Sequence, residues 1–342
     1  MKTLTSILAI TSVLATSLPA ESVPTETISK QAKWLIHLNL DAFRDTAIGA
    51  ALFESVIKPK AGETPMGFRI KTEDIYQGIH AITAYGNSYQ IDQQSIGVLL
   101  IRTEANLRSI LEAALIQQEA AGAEGAEVKT IQTEPYPIYS VAGGLFGAVL
   151  PSNVVVVSKS LEQLTAAVDV VENRSPGLDE RKGGFPGLKG DDQSFFLLAT
   201  AEGFNESNMI PPQARVLQLA ESARLALGEI KDRIALNLTL GARDETTRTQ
   251  LQKIVEGLLA LVSLGQLDNQ DLSEIVSSTE VMSDGNDVSV GISYPVDRVL
   301  ALVQNSIRPP AAPHHIHEPS VEISGDNVKI QSGETTIEIK NP

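Results

Sequence analysis

A chain of 342 residues with 42% hydrophobic and only 4% aromatic side chains carries enough aliphatic material for one large core or two ordinary ones. Its formal net charge of -15 repels nucleic-acid phosphates and anionic headgroups at long range, which argues against both as partners. With no cysteine, disulfides, zinc–thiolate centres, thiol catalysis and thiol acylation are excluded.

Residues 1–20 read as a secretory signal peptide. Lys2 gives a positive start, Leu4 to Leu14 an apolar run, and Leu18-Pro19-Ala20 a small-residue cleavage site before Glu21. The expected location is therefore periplasmic or secreted. The apolar run is short of the ~20 residues a spanning helix needs, so no transmembrane segment is expected after signal cleavage. Beyond a polar leader, Trp34, Ile36, Leu38 and Leu40 alternate with Leu35, His37 and Asn39. That period predicts a strand with the first set as an apolar face and His37 as a satisfied strand histidine. Asp41 is placed to cap a helix from Ala42 to about Val56, stopped by Pro59. Ile79 to Tyr85 and Ser95 to Arg102 read as strands, and Thr103 as the cap of a helix with Leu107, Ile110, Leu111, Ala114 and Leu115 at helical spacing. Short strands are expected near 127–133, 137–142, 145–150 and 153–158, with Pro151-Ser152-Asn153 as a hairpin turn. Ser160-Leu161-Glu162-Gln163 fits a capping box at the head of a further helix.

Residues 173–193, rich in glycine and proline, read as the connector between a first half, 21–172, and a second, 194–308. The second half opens on a strand from Ser194 to Thr200, followed by a helix after Pro211-Pro212 reaching about Leu227. Its clearest unit runs from Lys231 to Leu264. There Ile234, Leu236, Leu238 and Leu240 alternate as a strand and Asp244 stands at an N-cap position. Leu251, Ile254, Val255, Leu258, Leu259 and Val262 then make one helical stripe. Val276 to Met282 and Val288 to Tyr294 form a hairpin across Asp284-Gly285-Asn286, and a last helix starts at Pro295. The halves match in element order, with Ser194 answering Lys33, Ile234 answering Ile96, Asp244 answering Thr103 and Val288 answering Val154; this suggests an internal repeat. A Pro/His linker, 309–318, leads to a hairpin or meander tail, 319–342. The fold class expected is α+β: two related halves of mainly antiparallel strands packed with amphipathic helices, plus the small β tail.

His314, His315, His317 and Glu318 are the densest cluster of metal-ligating side chains, holding three of the five histidines. Neutral imidazoles bind zinc, copper or nickel, so these four residues are the candidate metal site. Ser55-Val56-Ile57-Lys58 has S-x-x-K spacing and, with Tyr85-Gly86-Asn87, is similar to the penicillin-binding and β-lactamase superfamily, whose lysine activates the serine one turn away; no K-T-G triplet follows in a strand. Gly143-Gly144-Leu145-Phe146-Gly147 precedes a strand and cannot present helix N-terminal amides to a phosphate. Asp191-Asp192, Asp268 to Asp271 and Asp284 to Asp287 lack the spacing of a calcium hand and read as turns or caps. No catalytic residue and no cofactor site emerges from these patterns.

Trp34-Leu35-Ile36-His37-Leu38-Asn39-Leu40-Asp41, Leu236-Asn237-Leu238-Thr239 with its leucine-rich helix, and Gly285-Asn286-Asp287-Val288-Ser289-Val290 together resemble uncharacterised exported bacterial proteins in which a strand–helix unit occurs twice. The resemblance covers most of the mature chain and implies a cell-envelope setting without a particular activity. The function expected is non-enzymatic binding of a protein, a lipid or an envelope component. One alternative is an envelope hydrolase with a dispersed active site, which His37 or His80 beside an acid would favour. The other is metal handling by the C-terminal histidine cluster.

Overall fold

The alternating segments pair into one antiparallel sheet of twelve described strands in the body formed by residues 1–296. In chain order they are β1 (Trp34–Asn39), β2 (Ile79–Gly86), β3 (Val98–Thr103), β4 (Lys129–Gln132), β5 (Ile138–Val141), β6 (Leu145–Val149), β7 (Val154–Ser158), β8 (Leu197–Glu202), β9 (Ala220–Ile230), β10 (Arg233–Ala242), β11 (Thr279–Asp284) and β12 (Asp287–Pro295). The spatial order is β11-β12-β10-β9-β8-β1-β2-β3-β7-β6-β5-β4. β1 and β8 meet at the middle, with Leu35 opposite Thr200 and Ile36 opposite Ala199. Outward from that join run β1, β2, β3 and β7 on one side, and β8, β9, β10 and β12 on the other. The fold is α+β. The computed structural model describes residues 23–60, 71–89, 97–121, 128–132, 134–141, 144–188, 195–204, 218–265, 270–307, 320–324, 327–332 and 335–340. The signal-peptide segment, Pro211-Pro212, Asp191-Asp192 and the cluster His314, His315, His317 and Glu318 lie outside these residues.

Local chemistry sets the turns and caps. Asn153 takes a positive φ of 62° in the β6–β7 turn, and Gly285 one of 55° between β11 and β12, the backbone that tight hairpins require. Ser160 accepts from the Gln163 amide at 3.3 Å and caps α5 (Leu161–Val171), but its own amide donates to the Ser158 hydroxyl at 3.2 Å, so only half of the expected capping box forms. Asp244 accepts from the Thr247 amide at 2.8 Å at the head of α6 (Glu245–Gly265).

Three expectations are corrected. The helix from Ala42 to Val56 is broken into α1 (Leu40–Arg44) and α2 (Ala47–Leu52). Asn39 and Thr46 cap them, accepting from the Ala42 and Gly49 amides, both at 2.9 Å. Asp41 is thereby released to meet Arg44 and His80. Thr103 does not cap α4 (Ala105–Ala121) but donates its hydroxyl to the Asn153 carbonyl at 3.2 Å. The segment up to Leu227, rich in the helix formers Ala, Leu, Arg and Glu, is strand β9. β8 and β10 flank it on both sides, and their backbone groups would lose their partners if it coiled. The described part of the 173–193 connector packs on the first half: Leu178 and Phe185 are buried in its core, and the Leu178 amide donates to the Ile28 carbonyl at 2.7 Å. A short helix not foreseen, α3 (Thr72–Gly78), precedes β2.

The sheet has unlike faces. In the first half, Leu35, Tyr85, Val98, Leu100 and Val156 point to one side and are buried with Leu164, Ala167 and Val171 of α5, Ile28 and Leu178. Farther along, the same side turns polar, through Asn237, Thr239 and Ser289. The second body, residues 297–342, holds most of the helix Val296–Ile307 and a three-stranded antiparallel meander of β13 (Ser320–Ser324), β14 (Asn327–Ser332) and β15 (Thr335–Lys340).

Candidate functional site

Directly paired residues of neighbouring strands share a face, so the ladder registers trace a row across the opposite side of the sheet. It runs Tyr139, Gly147, Val157, Leu99, Ala84, Ile36, Ala199, Leu225, Leu238, Val290 and Val281, from β5 to β11. A parallel row is Val155, Ile101, Ile82, Leu38, Leu197, Leu227, Leu236 and Ile292. Every member of both rows is apolar. At the outer ends the face is buried, at Tyr139 and at Val290. In the centre it is not: Ile36 is 45% exposed, and its row-mates Ala84, Ala199 and Leu225 are partly exposed. From β7 to β10 this floor spans about 29 Å at the usual strand spacing.

Two helices stand on this face. Glu119 of α4 accepts from the backbone and hydroxyl of Thr130, both at 2.8 Å, and Thr130 pairs with Tyr139. The Tyr139 phenol is raised above its ordinary value by burial, and further by Glu112 and Glu119 of the same helix. Across the sheet, Leu251 of α6 is fully buried with Leu240 and Val288. At 100° per residue, Leu251, Val255, Leu258 and Val262 lie on one side of that helix. The stripe is buried at Leu251, yet Leu258 is 49% exposed and Val262 40%. The helix thus docks by its first turns and leaves the rest of that stripe about half exposed. On this face lies an open groove of about 330 Å³ over Trp34, Ile36, Ala199, Ala201, Leu225 and Leu238. Trp34 lies flat against the sheet because Gly86 and Gly97 have no Cβ; one added at Gly86 would come within 2.6 Å of the indole ring. Its Nε1 donates to the Ser88 carbonyl at 2.9 Å.

The end of the face beside α1 and α2 is polar. Glu229, next but one after Leu227 on β9, accepts from the Ala47 amide at the head of α2 at 2.9 Å. His80, next but one before Ile82 on β2, bonds through Nδ1 to Asp41 Oδ2 at 2.9 Å. Arg44 donates to the other Asp41 oxygen at 2.9 Å and to the Ile79 carbonyl at 2.8 Å, fastening α1 to β2. Asp41, His80, Arg102, Glu104, Ser152 and Asn153 line one open depression. Ser152 gives its hydroxyl to Glu172 at 2.9 Å.

His37 sits on the opposite, buried face. Its Nδ1 meets the Thr83 hydroxyl at 2.8 Å, its Nε2 has no hydrogen-bond partner, and burial pulls its pKa down to about 4. It is only half satisfied. Ser55 donates to the Ala51 carbonyl and Lys58 pairs with Glu54 at 2.7 Å, so the S-x-x-K spacing assembles no nucleophile. Asp284 and Asp287 face each other across a hairpin, with Asp287 raised first by burial and then by Asp284. Among the described residues no group of three or more histidines and carboxylates could hold a metal, and no helix is long and apolar enough to cross a membrane.

No protein-family profile matches the chain, and a search of curated proteins found no match. Among solved structures the chain is similar to TP0453 in crystal form III, at TM-score 0.47 and 10% identity over 84% of this chain and 99% of that one. Crystal form I gives 0.43 and 10% over 84% and 98%, and form IV gives 0.45 and 10% over 83% and 97%. The sequence pattern missed the open face because alternation names two faces without saying which one is covered. The signal available was that both the Trp34 and the Leu35 sets of β1 are largely apolar.

Proposed function

We propose that the protein is an exported, non-enzymatic binder that takes the alkyl chain of a lipid or other amphiphile on the open face of its sheet, between α4 and α6. The observation that carries this reading is the unbroken row of aliphatic side chains left partly exposed at the sheet centre, where apolar patches of such extent mark binding surfaces. The floor strands β1, β8 and β9 are hydrogen-bonded along both edges. They have no N–H or C=O left for a peptide strand, and an extended peptide lying on them would bury its own amides unpaired, at about 1–3 kcal/mol each. An alkyl chain carries no such groups and gains about 0.8 kcal/mol per buried methylene.

Native mass spectrometry of the full chain, isolated gently from its own cells, is expected to show the added mass of one amphiphile. Titrating stripped protein with hexadecylglycerol should move the emission of Trp34, the single indole, to the blue. A bare monomer together with a flat titration refutes the reading. The hydrolase alternative draws on His80 beside Asp41, an orientation suited to a general base. Among the described residues, the nearby Ser152 hydroxyl, which could serve that imidazole as a nucleophile, is held by Glu172.

A further inference from the structure

The polar end of the open face carries information about the ligand's other end. Asp41 receives Arg44 on one oxygen and His80 on the other, each at 2.9 Å. An ionised carboxylate only accepts hydrogen bonds, so the neutral imidazole must carry its proton on Nδ1, and Nε2 is left as a lone-pair acceptor. His80 stands just before the regular part of β2, in which Ala81, Thr83 and Tyr85 are buried on the other side while Ile82 and Ala84 belong to the open floor. Its position is one strand repeat, about 7 Å, beyond Ile82. The ladder with β3 shifts register between Ile79 and Ala81, a bulge that turns the strand just where the imidazole leaves it. The side chain is 38% exposed, open to a ligand at the rim.

Resting on the trough reading above, we infer that His80 selects the head of the bound amphiphile: Nε2 accepts from a hydrogen-bond donor, a hydroxyl head as on a glycerol, in preference to an acceptor-only phosphate. Asp41 orients the ring, and Arg44 holds Asp41 in place. The charged groups around the imidazole are Asp41 and Arg44 from α1, with Arg102 and Glu104 from the end of β3 in the same depression.

The test measures affinities of the full chain for hexadecylglycerol and hexadecyl phosphate, equal in alkyl length, by Trp34 fluorescence at about pH 8. Near pH 8 the glycerol head should bind on the order of tenfold tighter, the worth of about one hydrogen bond. His80→Phe should remove that preference while the alkyl chain still binds, and His80→Gln, which keeps an acceptor oxygen, should retain part of it. Equal affinities near pH 8, or a preference that survives in His80→Phe, overturn the inference and leave the trough reading standing. Failure of both amphiphiles to bind wild type removes both.

Discussion

His37 shows how one side chain ties stability to pH. Its pKa is about 4 in the folded protein and about 6.5 unfolded, because burial penalises the imidazolium. Between those values the unfolded chain binds the proton and the folded chain does not. Stability is therefore full above about pH 6.5 and declines as pH falls toward 4, by about 3 kcal/mol if no other group compensates. Urea midpoints measured across that window should fall steeply, and His37→Phe should flatten the slope whatever it does to the absolute value. A second residue-scale prediction concerns the glycine under the indole. Gly86→Ala places a methyl 2.6 Å from the Trp34 ring, so the ring must lift. Emission should shift to the red, with a loss of about 1–3 kcal/mol from overpacking, read in the same urea titration.

At the scale of elements, α6 makes two opposite predictions along one stripe. Leu251→Ala removes a fully buried side chain and should cost about 2–5 kcal/mol. Leu258→Ser and Val262→Ser, at residues 49% and 40% exposed, should stay within about 0.5 kcal/mol of wild type. The same two substitutions should weaken alkyl binding in the Trp34 assay, which a merely solvated helix face would not do. This helix also marks what was legible in the sequence. Its stripe, its Asp244 cap and the preceding strand follow from spacing and capping chemistry alone, and so do the hairpin at Gly285 and the cap at Ser160. That the stripe would be only partly packed does not follow from spacing, because periodicity reports amphipathicity and not the presence of a partner. β9 was missed for a related reason. Its Ala, Leu, Arg and Glu composition favours a helix locally, and the ladders offered by β8 and β10 outweigh that preference. His80 and Asp41 lie 39 positions apart and could be joined only by the strand register and the early break that frees Asp41 from capping.

Over the whole molecule, the two halves named from sequence are sides of one sheet, joined along β1 and β8. Cutting the chain in the connector would leave each half with a bare central edge lined by aliphatic side chains, a template for association. Chains of residues 21–172 and 194–296, expressed separately, should aggregate or self-associate, and should recover a monomeric signal in size-exclusion chromatography only when mixed. Two independently soluble, folded halves would contradict this. The intact protein should unfold in a single transition, with far-UV dichroism and Trp34 fluorescence coincident.

The β1–β8 ladder has a bearing on biogenesis too. Trp34 to Leu38 leave the ribosome early, yet one of their two edges waits for Leu197 to Ala201. Contacts so distant in sequence are slow to close and leave intermediates with unpaired strands. A nascent or translocating chain that has delivered β1 to β7 but not β8 therefore displays an unpaired strand that a holding chaperone could occupy. Pausing synthesis just before Leu197 should prolong that interval, and moving the pause beyond Glu202 should end it.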